Sequence, residues 1–136
     1  PWAASLVKLA NAKTALPFDE AFWRAVGCNW LVCLAVFAAY SAKDTAGKIV
    51  ALWIPTMAFV ALGMEHCVAN MFFIPAALMT AADPRYAALA AAGQVPELTA
   101  TVNTFLIDNL IPVTLGNIVG GAVLVAGFYC FIKRAR

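Results

Sequence analysis

The sequence is poor in charge, holds a single histidine and has no paired-cysteine motif, and each scarcity closes off a class of protein. Only 12% of its 136 residues are Asp, Glu, Lys or Arg, where a soluble domain carries about a quarter. The formal net charge is +2 and the basic residues form no aromatic-interleaved patch, which argues against nucleic acid as a partner. No glycine-rich phosphate loop, metal-ligand cluster or nucleophile–base pair is visible, so no cofactor, no metal and no enzyme is expected. Cys28, Cys33, Cys67 and Cys130 lie in apolar segments without a CxxC spacing, and read as small buried hydrophobes. The chain opens on Pro1 with no basic stretch ahead of a short apolar run, so no signal peptide is visible and it reads as a chain entered in its middle.

Apolar residues are what the sequence has in excess: 64% of the total, with a mean hydropathy of +0.85. They fall in blocks long enough to cross a bilayer, which takes about 20 residues of helix. An all-α membrane protein follows, with the lipid bilayer as its solvent. The first clear span is 22–42, with one charge, Arg24, and one amide, Asn29. Lys43, Asp44 and Lys48 form a polar link.

The next apolar stretch, residues 49–82, is too long for one straight crossing. It would reach about 50 Å at 1.5 Å per residue, against a hydrocarbon core of about 30 Å. Pro55 lacks an N–H and Gly63 is a weak helix former, so a break is expected between them. The result is a broken span over 49–80 whose second half-helix starts near Met64. Non-helical backbone at membrane depth survives only where protein or a watery cavity satisfies it, so the break points to a binding or permeation site.

Residues 83–104 read as a polar outer loop with a short interfacial helix over 87–92. A third span runs over 112–132, with Pro112 in its first turn and Asp108 and Asn109 as capping or re-entry residues. Gly116 and Gly120 make a GxxxG, extended by Gly121, which lets two helix backbones approach closely, within the chain or in an oligomer. The basic tail 133–136 and the link carrying Lys43 and Lys48 belong in the cytoplasm by the positive-inside rule. The 83–104 loop then lies outside.

His66 stands inside the broken stretch. An ionised side chain at a membrane helix centre costs about 2.5–3.5 kcal/mol on insertion scales, which makes it a functional-site hypothesis by default. His66 and Asn70 are four residues apart and share a helix face, while Glu65 points elsewhere. A break before Met64 puts His66 in the first turn of a half-helix, where free N–H groups and the positive dipole end favour a small anion. Taken alone, Asn29 fits helix–helix glue as well as function, Lys13 fits a solvated charge and Phe59 fits packing.

Three runs carry a resemblance. They are Gly27-Cys28-Asn29-Trp30-Leu31-Val32-Cys33-Leu34-Ala35-Val36, the stretch 59–73, and Asn109-Leu110-Ile111-Pro112-Val113-Thr114-Leu115-Gly116-Asn117-Ile118-Val119-Gly120-Gly121. Together they resemble the formate/nitrite transporter family. The resemblance implies an aquaporin-like fold of six spans in two inverted three-helix repeats, with the second helix of each repeat broken. It also implies a homo-oligomer, a pentamer with one pore per protomer, in the cell membrane. This sequence matches the C-terminal half: the second repeat, preceded over 1–12 by the end of one span.

By the same resemblance, His66 is the central histidine, Asn70 the pore asparagine and Glu65 the glutamate before the histidine. Asn29 is the asparagine of the fourth span, Lys13 the lysine of the outer vestibule and Phe59 a constriction residue. The family often has a histidine pair just after the lysine; here Thr14 is followed by Ala15 and Leu16. The implied cargo is a small monovalent weak-acid anion, with protons as its companions: formate first, nitrite or hydrosulfide as alternatives. A non-conducting fragment or structural membrane subunit is the alternative from another class.

Overall fold

The apolar runs become helices. The computed structural model describes residues 2–134, and no strand occurs among them. In chain order the helices are α1 (Trp2–Thr14), α2 (Phe18–Ser41), α3 (Thr45–Ala61), α4 (Cys67–Ala81), α5 (Pro84–Ala91) and α6 (Thr104–Arg134). The 24 residues of α2 and the 31 of α6 are long and apolar enough to cross a membrane. Helices α4 and α5 meet that test as a pair bent by 77°, and α3 is apolar but shorter. Of the basic tail expected over 133–136, Lys133 and Arg134 end α6, and the rest lies outside the described residues.

Two compact units form. One takes in the chain up to Ala21 together with Cys67–Pro112; the other takes in Phe22–His66 and the chain from Val113 onward.

In the first unit, α1 and α4 pack around Val7, Ala10, Ile74 and Ala77, with Tyr86, Ala100 and Phe105 completing the core. Asp83 caps α5, its carboxylate accepting from the Arg85 N–H at 2.8 Å, and Pro84 occupies the first turn, where no N–H is needed. The helix stops in a Schellman turn at Gly93, whose φ of +70° is the left-handed conformation glycine adopts without strain. There Gly93 N–H donates to Ala90 and Gln94 N–H to Leu89.

The segment that follows has no ladder of its own, and Asn11 supplies one. Its side-chain N–H donates to the Glu97 carbonyl at 2.8 Å, and its oxygen accepts from the Thr99 and Ala100 N–H groups at 2.9 and 3.2 Å. Tyr86 adds a hydroxyl bond to the Pro96 carbonyl at 2.8 Å.

Helix α6 starts earlier than the sequence suggested. Thr101 and Thr104 cap it reciprocally, each hydroxyl accepting from the other's backbone N–H at 3.1 and 2.9 Å. Asp108 and Asn109 are therefore inside the helix and cap nothing at its start. Pro112 is tolerated mid-helix because the stretch Thr104–Leu110 before it is wound in wider π turns. These give the proline ring room against the preceding carbonyls.

In the second unit, α2 and α6 cross at Gly116 and Gly120. A Cβ on Gly116 would overlap the Phe22 carbonyl oxygen, and one on Gly120 the Val26 carbonyl oxygen. The GxxxG is thus used within the chain, as a close helix crossing. Farther along, Phe37 and Tyr129 stack with ring centroids 3.9 Å apart. Asp44 caps α3 by accepting from the Gly47 N–H at 2.8 Å, and α3 continues past Pro55 without a break. All four cysteines are free.

Gly120→Ala should cost about 1–3 kcal/mol as an overpacked contact against backbone, read as a lower unfolding midpoint in detergent. Gly127→Ala, whose new Cβ would meet nothing nearer than 3.5 Å, should be neutral or gain up to about 1 kcal/mol of helix propensity. Asn11→Ala should cost about 1 kcal/mol for each of its three bonds, and limited proteolysis should then cut within 92–103 well before the wild type is cut.

Candidate functional site

The helix interruption falls at residues 62–66, after Pro55 rather than at it. Proline removes one internal hydrogen bond but keeps a helical φ; Gly63 leaves helical space altogether, with φ +63°. Helix α3 ends there in a second Schellman turn, Gly63 N–H donating to Val60 at 3.1 Å and Met64 N–H to Phe59 at 3.0 Å. Helix α4 begins only at Cys67. Glu65 and His66 therefore lie in the interruption itself, not in the first turn of the half-helix as expected. Glu65 is buried, 2% exposed, and His66 is half-buried.

Backbone carbonyls left over in the interruption need donors, and side chains provide them. Arg24 on α2 donates from Nη1 to the Gly63 carbonyl at 3.2 Å. Asn117 on α6 donates from Nδ2 to the Glu65 carbonyl at 3.1 Å and to the Ala25 carbonyl at 2.8 Å. The Asn117 carbonyl in turn accepts from the Asn29 side chain at 2.7 Å.

These bonds fix an orientation. Both amide hydrogens of Asn117 go to carbonyl oxygens, so its Oδ1 is the atom that faces His66, 3.3 Å from Nδ1. An amide oxygen accepts only, so His66 Nδ1 carries the hydrogen in this network. The neutral ring then has its lone pair at Nε2. The Phe59 ring meets the imidazole edge-on, with centroids 6.0 Å apart at 83°. An imidazole, a buried glutamate and an aromatic wall are the groups gathered here.

Four of the residues singled out in the sequence, His66, Glu65, Asn29 and Phe59, belong to this unit. Asn29 meets His66 through Asn117, as helix–helix glue, and no direct bond joins the two. Asn70 and Lys13 belong to the other unit, where they form a separate chain of amides. Asn70, fully buried, donates from Nδ2 to Asn109 Oδ1 at 2.8 Å. Asn109, also fully buried, donates to the Lys13 backbone carbonyl in the last turn of α1 at 2.9 Å.

The sequence reading passed over Asn117 and gave Arg24 no partner. Both carried a usable signal: a polar side chain in an apolar span, the cost that drew attention to His66.

The family model for formate/nitrite transporters matches residues 1–131 of the chain. A "Probable formate transporter" of Methanothermobacter thermautotrophicus is 48% identical over 94% of this chain and 40% of its own length. The formate channel FocB of Escherichia coli is 42% identical over 94% of this chain and 46% of its own. Among solved structures, a pentameric formate channel with formate bound superposes with a TM-score of 0.84 at 38% identity, over 96% of this chain and 52% of that one. The chain thus spans about half the length of the curated relatives it matches. Its apolar helices are those of a membrane protein. On the extent of the family match, the chain belongs to the formate/nitrite transporter family.

Proposed function

We propose that the full-length protein containing this chain moves a small monovalent weak-acid anion across the cell membrane, formate before nitrite or hydrosulfide, with His66 at the centre of the pathway. The observation that carries this reading is the imidazole held by Asn117 at 3.3 Å inside a helix interruption, in a chain whose relatives are named as formate transporters and channels. This chain is read as the C-terminal half of an aquaporin-like inverted repeat. The transporting unit then needs the other half, and by likeness to the pentameric neighbour it assembles as a homopentamer.

The mechanism follows from dielectric arguments. An anion pays heavily to enter a narrow apolar constriction such as the one assigned to Phe59. The same desolvation favours the protonated, neutral form of a weak acid. Lys13 attracts the anion to the outer vestibule. His66, with Nδ1–H engaged by Asn117, gives and takes the travelling proton at Nε2. Histidine suits the task because its unperturbed pKa of about 6.5 leaves both states within reach. Glu65 and, through Asn117, Asn29 set the ring's surroundings, and Asn70 lines the path. The basic end of α6 and the link with Lys43 and Lys48 lie in the cytoplasm in this reading.

Proteoliposomes with the full-length protein, recorded for formate flux and proton uptake together, test the proposal. His66→Asn should lose proton-coupled formate flux, and an unchanged flux in that variant rejects the relay. A steady formate current without proton uptake would instead favour a pore that passes the anion itself. Asn117→Leu, which frees the ring to rotate and leaves the Glu65 carbonyl without its donor, should lower flux about tenfold, equal to about 1.4 kcal/mol in the barrier.

A further inference from the structure

Beyond its first turn, α2 carries one charge, Arg24. It stands six residues into a span, about 9 Å along the helix axis. A charge inside a span persists when it pairs with another charge or with backbone carbonyls, and it marks function by default. Arg24 donates to the carbonyl of Gly63, the left-handed residue on which α3 ends.

That carbonyl has a particular need. The Schellman turn satisfies the carbonyls of Ala58, Phe59 and Val60 through the N–H groups of Leu62, Met64 and Gly63. The Gly63 carbonyl lies past the turn, where the chain has left the helix and no ladder continues. The end of α3 is also the negative pole of its dipole, where a cation is favoured. A guanidinium meets both demands at once: it is a donor and it never deprotonates. Glu65 and His66 follow Gly63 by two and three residues, so whatever holds the Gly63 peptide plane sets where they start.

We propose that Arg24 is a positioning residue, a cationic clamp on the Gly63 carbonyl that holds the start of the segment carrying Glu65 and His66 in place without binding the transported anion. Only the flux arm of its test rests on the transport reading above.

The test compares Arg24→Lys, Arg24→Gln and Arg24→Leu in the full-length reconstituted protein, with two readouts. Backbone hydrogen exchange over residues 62–66 needs no substrate. Formate flux is resolved into KM and Vmax. Arg24→Leu should raise exchange in that segment at least tenfold and lower Vmax at least fivefold, with KM within twofold, since the clamp does not bind the anion. Arg24→Lys, which keeps charge and donor, should restore both to within twofold, and Arg24→Gln, which keeps only the donor, should fall between. Wild-type exchange and flux in Arg24→Leu, or a lysine variant no better than leucine, overturns the clamp. If the wild type carries no formate, the transport reading fails and exchange alone decides the role of Arg24. If the leucine variant does not assemble, the glutamine variant is judged by the same direction of change.

Discussion

A peptide chain that leaves its helix inside a membrane must find hydrogen-bond partners within the protein, because lipid offers none. The arrangement around residues 62–66 answers that constraint. Two Schellman bonds close the end of α3. Arg24 takes the Gly63 carbonyl and Asn117 the one at Glu65. Asn117 is also the residue that meets His66, so the side chain that satisfies the unwound backbone at Glu65 orients the imidazole next to it.

Asn117 can do this because of the glycines on either side of it. Gly116 and Gly120 bring α6 so close to α2 that the backbone carbonyls of Phe22 and Val26 occupy the space a Cβ would need. At that separation a short asparagine reaches the Ala25 carbonyl directly, and Asn29 reaches back to the Asn117 carbonyl. A crossing at the usual helix spacing of about 8–10 Å would leave these amides short of their partners. The other unit follows the same economy. Asn11 ties an extended segment to α1, and Asn109 links Asn70 to the end of α1. In each case a neutral amide, with donors and an acceptor in one plane, replaces missing peptide partners at a lower burial cost than a charge would incur.

His66 was legible in the sequence because it is costly where it stands, and the existence of a break was legible because residues 49–82 are too long to cross straight. The position of the break was not. Pro55 and Gly63 both weaken a helix on propensity, and only the backbone distinguishes a proline that keeps helical φ from a glycine that abandons it. The start of α6 was misplaced for a related reason: Pro112 looks like a first-turn residue, and the wide turns that accommodate it deeper in a helix have no sequence signature. Asn117 was overlooked because its two flanking glycines read as a packing motif. Their packing role was correct, and it concealed the polar residue that the packing serves.

The choice of an amide as the partner of His66 bears on the chemistry. A carboxylate at Nδ1 would form a charge-assisted bond of roughly twice the strength of a neutral one and would favour the charged ring. An amide oxygen at 3.3 Å makes a neutral contact, worth about 1 kcal/mol. That is enough to orient a ring already walled by Phe59. The carboxylate nearest in sequence, Glu65, presents its backbone carbonyl to the same asparagine, so Asn117 stands between main chain and imidazole with an uncharged group. The ring is thus fixed in direction through a neutral group, and it is the other nitrogen, Nε2, that the proposed relay would use.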